Sequence, residues 1–314
     1  MIVICGPTAS GKSSLALRLA GEKPSVIINA DSLQLYADLP ILTARPTRED
    51  EARCPHRLFG ILGPTDTCSA ARWRDLAIAE IGRAGEAGLQ PILVGGTGFY
   101  LSALMVGMSP VPDVPEEVRE RLLRQYAGFS GAALHDELAA RDPAMAARLV
   151  RGDRQRCLRA LEVLEYTGQS LAVFQDMPRS APPCGMTFAV MIAEPKRAEL
   201  YAACDRRFDA MLTHGAAEEV KALMDAGIAE DAPVFRALGA KYIRAALAGR
   251  MSMGDAAKAA KTETRHYAKR QATWFRHQLH EGGAVINILK IPEPPAEAGF
   301  SAIKNHLASL ASMA

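Results

Sequence analysis

The chain has 314 residues, 49% of them hydrophobic and 23% charged, with a formal net charge of +2. That is the composition of a globular protein large enough for one domain with an insertion, or for two domains. Its six cysteines, Cys5, Cys54, Cys68, Cys157, Cys184 and Cys204, are scattered without a CxxC pair, which argues against a zinc knuckle or a disulfide framework and suits reduced thiols in a cytoplasmic protein. No apolar run approaches membrane-spanning length, and Met1 leads directly into an apolar strand with no room for a signal peptide.

That strand, Ile2 to Cys5, runs into Gly6-Pro7-Thr8-Ala9-Ser10-Gly11-Lys12-Ser13 and then an amphipathic stretch from Ser14 to Ala20. Glycines at both ends of such a loop let backbone N–H groups turn inward around phosphate oxygens. The following helix points its positive end at them, Lys12 adds a full charge, and the Ser13 hydroxyl suits Mg²⁺. The motif predicts a polyphosphate or diphosphate site without naming the compound.

Further strands are expected at Ser25 to Ala30, Pro91 to Val94 and Thr187 to Ile192, with a helix from about Ala70 to Ala87 and helices from about Pro195 to Gln278. This is the pattern of a phosphate-loop α/β protein, a parallel sheet flanked by helices. A late apolar run, Ala284 to Leu289, is placed to close the sheet. Between SPVPDVPEE and MPRSAPPCG the texture changes to short, proline-punctuated helices. The proline-rich flanks predict an inserted helical domain at 110–185 within a core formed by 1–109 and 186–314.

In such sheets the chemistry gathers at the carboxyl ends of strands. Asp31 ends the second strand, where it can take a proton from a nucleophile or hold magnesium through water. The third ends in Gly95-Gly96-Thr97-Gly98, without the metal-directing aspartate of many nucleotide hydrolases. A lone Thr97 at a helix start is read first as a cap.

Charge is unevenly distributed. From Arg236 to Arg276 there are ten basic residues against two acids, so that segment carries +8 and the remainder −6. Its last part interleaves Arg265, Lys269, Arg270 and Arg276 with Tyr267, Trp274 and Phe275, as a surface for phosphates and unstacked bases would. The alternative is a solvated helix whose aromatics pack inward. Arg148, Arg151, Arg154, Arg156 and Arg159 form a second cluster opposed only by Asp153, and two basic faces suggest a clamp for a polyanion larger than a nucleotide.

GPTASGKS, the DSxxxY run at Asp31 to Tyr36, VGGTGFYL at Val94 to Leu101, DxxRxxRALEV at Asp153 to Val163 and TRHYAKRQATWFR at Thr264 to Arg276 together resemble the tRNA dimethylallyltransferase family, in order and over nearly the full length. The resemblance implies Mg²⁺-dependent transfer of a five-carbon group from dimethylallyl diphosphate to the N6 amine of the adenosine 3′-adjacent to a tRNA anticodon. It implies that Thr97 contacts the reacting centre and that Arg207 binds diphosphate. It also places Gln155, Arg156, Cys157, Leu158 and Arg159 on the surface for the anticodon stem-loop, with Arg119 near the mouth of the channel. For the side chains of Cys157 and Leu158 themselves, core packing is the preferred reading.

The chemistry assigns the remaining roles. The adenine amine is a weak nucleophile that needs an acceptor for its proton, and Asp31 is the candidate base. The departing diphosphate gathers negative charge against Lys12, the loop amides and Mg²⁺ at Ser13. Ser32, Leu33 and Gln34 lie beside Asp31, where the target nucleotide would pass, and one extended RNA site per chain is compatible with a monomer. Relative to the family pattern, Leu42 stands for a glycine, Arg45 for a lysine, Gly60 for an aspartate and Ala203 for an arginine, and Ala240 falls in an altered run; such changes bear on donor affinity and loop choice. His56, His135 and His266 lack metal-site spacing. A phosphate-loop kinase remains the main rival, with a non-catalytic RNA-binding protein as a third reading.

Overall fold

Runs such as SVIIN (Ser25–Asn29) and FAVMIA (Phe188–Ala193) are buried along their whole length, the signature of strands covered on both faces by crossover helices. The computed structural model describes every residue except 181, 183–184, 280–284, 293–299, 302, 306 and 308–314. Cys184 and parts of the second proline-rich flank and of the late apolar run therefore lie outside the described residues. The chain divides into two compact units, Met1–Val106 with Pro182–Ala314, and Gly107–Ala181.

The first unit is built on β1 (Ile2–Cys5), α1 (Lys12–Ala20), β2 (Ser25–Asn29), α2 (Arg48–Arg53), β3 (His56–Arg57), α3 (Ala70–Glu86), β4 (Gln90–Gly95) and α4 (Gly98–Met105). The six strands form one parallel sheet in the order β3-β2-β4-β1-β5-β6, with β5 at Phe188–Ala193 and β6 at Val285–Ile291. This is a phosphate-loop-type α/β sheet. The central strands β1 and β4 run in register from Ile2 opposite Ile92 to Cys5 opposite Gly95, so the loops that follow them emerge side by side. Trp73 of α3 is fully buried, stacks on Tyr100 at 4.8 Å, and donates its indole N–H to the Asn29 carbonyl at 2.9 Å. That bond anchors the end of β2 two residues before Asp31.

The second unit contains α5 (Glu116–Gln125), α6 (Gly131–Arg141), α7 (Pro143–Ala146), α8 (Arg154–Thr167) and α9 (Leu171–Asp176). Side-chain caps from Ser130, Asp142, Asp153 and Ser170 start four of these helices, consistent with the helix-start preferences of Ser and Asp. Leu122, Tyr126, Leu134, Leu138, Cys157 and Leu161 form the centre of its own core. Asp153, the first residue of one sequence motif, thus has a plain structural job at the head of α8.

After β5 the first unit resumes with α10 (Arg197–Thr213), α11 (Ala216–Asp225), α12 (Ala240–Leu247) and α13 (Met253–Gln278). The buried positions of α13, Ala256, Ala260, Thr264, Ala268, Gln271 and Phe275, recur every three or four residues and make one inward stripe.

Candidate active site

The phosphate loop begins where β1 ends. Ala9 and Gly11 both adopt positive φ, 61° and 83°, which curls successive N–H groups toward a common centre. Gly11 occupies the position before α1 with no side-chain cap, and the first turn of α1 carries no acid, so the helix N-terminus is open to an anion. The Ser10 hydroxyl is buried without a partner. A buried polar atom with no partner fits a loop that completes its hydrogen bonds on a ligand.

Lys12 folds back over this loop, its ammonium donating to the Pro7 carbonyl at 2.5 Å. It keeps partial access to solvent, yet burial of the ammonium outweighs the attraction of Asp31 and pushes its pKa down to about 8, helped by the nearby Arg207 charge. Arg207 arrives from α10 and donates to the Thr8 hydroxyl at 2.8 Å. Burial lowers its pKa as well, against the pull of Asp31. Two cations held in partly desolvated positions beside one loop are what an anionic ligand would relieve.

Asp31 follows β2. Its backbone N–H donates to the Asn29 side-chain oxygen at 2.8 Å, and one carboxylate oxygen accepts from the Leu33 N–H at 3.0 Å. Thr97 precedes α4 at the capping position, but its hydroxyl makes no cap. It accepts instead from the Ser32 N–H at 2.9 Å and lies 3.3 Å from the Ser32 hydroxyl, while the Thr97 N–H donates to the Ala30 carbonyl at 3.1 Å. The capping expectation for Thr97 is therefore corrected: the side chain ties the two strand-end loops together.

These groups converge on one cavity of about 370 Å³, lined by Thr8, Ala9, Ser10, Gly11, Lys12, Ser13, Asp31, Gln34 and Arg207, a size ordinary for small-molecule sites. A narrower hollow shares Thr8, Asp31, Thr43 and Arg207 with it and is otherwise walled by Leu33, Leu42, Cys204, Phe208, Met211, Leu238, Thr264 and Tyr267. A charged chamber and a much smaller, partly apolar one of about 30 Å³ thus meet at Asp31. Leu42 and Ala203, two departures from the family pattern, line these chambers. Arg45 and Gly60, two more, touch each other: a Cβ on Gly60 would come within 2.3 Å of the Arg45 guanidinium, so the missing side chain makes room for the larger cation.

The proposed RNA-facing residues divide sharply. Gln34 donates its amide to the Thr43 and Ala44 carbonyls at 2.9 and 2.8 Å, which shapes the cavity wall. On α13, Arg265 is bound by both oxygens of Asp205 at 2.7 and 2.8 Å, and Arg276 reaches Glu194 at 2.7 Å. Arg270 lies over the Tyr267 ring at 5.6 Å, and Lys269 is exposed with no ion pair among the described residues. Within the second unit, Arg148, Arg151, Arg156 and Arg159 pair with Asp176, Asp136, Asp153 and Glu162. Arg119 lies 3.6 Å from Glu116. Many of the cations in both basic clusters are therefore paired, some with acids three residues away and others with acids distant in sequence. Cys157 and Leu158 turn into the core, so their side chains are withdrawn from any ligand surface, whereas Gln155 and Arg156 are exposed. Among the described residues no group of three or more His, Cys, Asp or Glu side chains is arranged to hold a metal.

One contributor was missed by sequence reasoning. Gln271 of α13 is buried, accepts from the Thr8 N–H at 2.8 Å and donates to the Gly96 carbonyl at 2.8 Å. Its place on the inward stripe with Thr264, Ala268 and Phe275 was the available signal.

Fold and site together define a phosphate-loop α/β protein whose Gly6–Ser13 loop shares an open chamber with a strand-end carboxylate. Residues 34–278 match the family model described as IPP transferase. A tRNA dimethylallyltransferase of Rhodospirillum centenum is 51% identical over 279 residues, covering 89% of each chain, and one of Beijerinckia indica is 52% identical over 280 residues, covering 88% of this chain and 92% of that one. Among solved structures, the tRNA isopentenylpyrophosphate transferase of Bacillus halodurans superposes with a TM-score of 0.66 at 32% identity, covering 98% of this chain and 95% of the other. A eukaryotic dimethylallyltransferase acting on tRNA gives 0.78 at 26% identity, covering 98% and 79%. The chain belongs to the IPP transferase family.

Proposed function

We propose that the protein is a tRNA dimethylallyltransferase, a prenyltransferase that moves the dimethylallyl group of dimethylallyl diphosphate to the N6 amine of the adenosine 3′-adjacent to the anticodon. The observation that carries this reading, beside family membership, is the pair of chambers meeting at Asp31. An allylic diphosphate has the same two parts, a polyanion and a short apolar chain.

In this reading the diphosphate rests on the loop amides from Ala9 to Ser13, with Lys12 and Arg207 beside it. The prenyl carbons lie toward Leu42, Phe208 and Met211. The adenine approaches Asp31, whose carboxylate takes the N6 proton as the amine nitrogen bonds to the allylic carbon. The C–O bond breaks and its electron pair leaves with diphosphate, whose growing charge Lys12 and Arg207 stabilise. Thr97, by holding Ser32, fixes the backbone on which Asp31 sits. The Ser13 hydroxyl is a hard oxygen donor in the same cavity, suited to Mg²⁺ completed by diphosphate oxygens and water. When bound, Mg²⁺ would neutralise leaving-group charge.

Lys269, Arg270, Gln155, Arg156, Arg159 and Arg119 are the proposed contacts to the tRNA anticodon stem-loop, with Arg265 and Arg276 contributing to the extent that their ion pairs open. All of these residues come from one chain, so a monomer acting in the cytoplasm suffices. No helix among the described residues is long and apolar enough to cross a membrane. The kinase alternative gains no support: β4 ends in glycine, and most of the arginines that a lid would need are paired within their own unit. The test is incubation with Mg²⁺, unmodified tRNA and dimethylallyl diphosphate, followed by mass spectrometry of digested nucleosides. Prenylated adenosine is expected; its absence with intact, tRNA-binding protein would overturn the assignment.

A further inference from the structure

Three loops must be held in mutual register for the site to work: the phosphate loop after β1, the loop carrying Asp31 and Ser32 after β2, and the Gly96-Thr97 loop after β4. The second and third are tied directly, through Thr97 and Ser32. The first and third are tied through the side chain of Gln271.

A primary amide is suited to that place. Its oxygen accepts from the Thr8 N–H while its nitrogen donates to the Gly96 carbonyl, both at 2.8 Å, in a position only 6% exposed. Each end has the polarity its partner requires, and a carboxylate or an alkyl chain fails at one end or both. The packing around it is equally specific. A Cβ on Gly96 would come within 2.3 Å of the Gln271 amide nitrogen, and one on Gly98 within 2.1 Å of the Trp274 ring. Gln271 and Trp274 are three residues apart, adjacent on the α13 surface, so the two glycines flanking Thr97 provide the room in which α13 seats. Thr8 in turn presents its hydroxyl to Arg207. One buried side chain therefore adjoins both the diphosphate machinery and the segment that positions Asp31.

We infer that Gln271 is a positioning residue for prenyl transfer: it sets the phosphate loop and the Thr97 loop at the spacing that aligns donor and acceptor, and makes no contact with either substrate. This inference rests on the proposed function. It also gives α13 two distinct faces, an inward one that aligns the chemistry through Gln271 and an outward one on which Lys269 and Arg270 are exposed.

The experiment compares Gln271→Met and Gln271→Glu with the wild-type protein in single-turnover prenylation, alongside tRNA binding and thermal unfolding. Met keeps the length and removes both hydrogen bonds. Loss of alignment predicts a transfer rate lower by about 30- to 100-fold, the scale of a small misplacement of reacting groups, with tRNA affinity within about twofold of wild type. Glu keeps the acceptor for Thr8 but sets a carboxylate against the Gly96 carbonyl until it is protonated. Its rate relative to wild type is therefore expected to rise about tenfold as pH falls from 8 to 6. Lys12, Asp31, Arg207 and Tyr267, the titratable groups around the adjoining chambers, are common to both proteins and cancel in that ratio.

A folded Met variant within about threefold of the wild-type rate would overturn the inference. If the Met variant does not fold, the Glu series decides, and a ratio flat with pH would overturn it. Absence of transfer by the wild-type protein would count against the proposed function instead, since the comparison needs an active reference.

Discussion

The position of Lys12 predicts how donor binding depends on pH. A lysine ordinarily keeps its charge well above pH 9, but burial outweighs the attraction of Asp31 here and brings this one to about 8 in the ligand-free site. Its folded-state pKa lies below the usual value, so the cation is present below pH 8 and lost as pH rises through it. If only the charged form grips diphosphate well, the apparent dissociation constant grows as 1 + 10^(pH − 8). That is about 1.1-fold at pH 7, about twofold at pH 8 and about 11-fold at pH 9, or ~1.4 kcal/mol for each further unit. The assay is calorimetric titration with dimethylallyl diphosphate in the absence of tRNA. Lys12→Arg supplies the control, because a guanidinium stays charged throughout and the titration of the ligand itself cancels in the ratio of the two profiles. Wild type should weaken relative to Lys12→Arg by about tenfold between pH 7 and 9. Parallel profiles across that range would refute the claim that a partly desolvated Lys12 holds the diphosphate.

The remaining predictions separate roles within the site. Asp31→Asn should lower the transfer rate by about 10³-fold, the scale of losing a general base, while donor affinity measured at pH 7 stays within about threefold; comparable losses in both would remove Asp31 from the base role. Lys269→Met and Arg270→Met should each weaken tRNA binding and flatten its salt dependence by about one ion, whereas Arg265→Met, whose cation is already bound by Asp205, should change the slope less, as filter binding across a salt series would show. Leu42→Gly should widen the apolar chamber and raise the rate with a ten-carbon allylic diphosphate relative to the five-carbon one by about tenfold, since each buried methylene newly accommodated is worth ~0.8 kcal/mol. An unchanged ratio in competition assays would show that Leu42 does not bound the prenyl group.

The strands that carry the site were legible because each is a short apolar run followed by a distinctive turn, and β1, β2, β4 and β5 form close to where those runs predict. By contrast β3 is only two residues long and offers no periodicity to read. The ion pairing of the charge clusters was hidden for a different reason. Composition shows that arginines gather at 148–159 and 236–276, but not that Asp205 and Glu194, which lie 60 and 82 positions from their partners, return to neutralise Arg265 and Arg276. Local counting sees the cations and misses the fold that pairs them. Gln271 illustrates the same limit from the other side. Set between Arg270 and Trp274 in a basic, aromatic segment, this glutamine has no distinguishing signal of its own, and only the inward stripe of α13 reveals it as the link between Thr8 and Gly96. Thr97 was located correctly at a helix start, yet its hydroxyl serves the neighbouring loop, because the Ser32 N–H lies 2.9 Å away.

The central claim is that the phosphate loop holds a leaving group of the transfer and not an ATP that is consumed. It is tested most directly by quantifying diphosphate and prenylated adenosine in the same rapid-quench reaction with tRNA, Mg²⁺ and dimethylallyl diphosphate, with ATP supplied in parallel. The account predicts one diphosphate released for each prenylated adenosine, at matching rates, with ATP untouched; ATP turnover dependent on Lys12 without prenylation would contradict it.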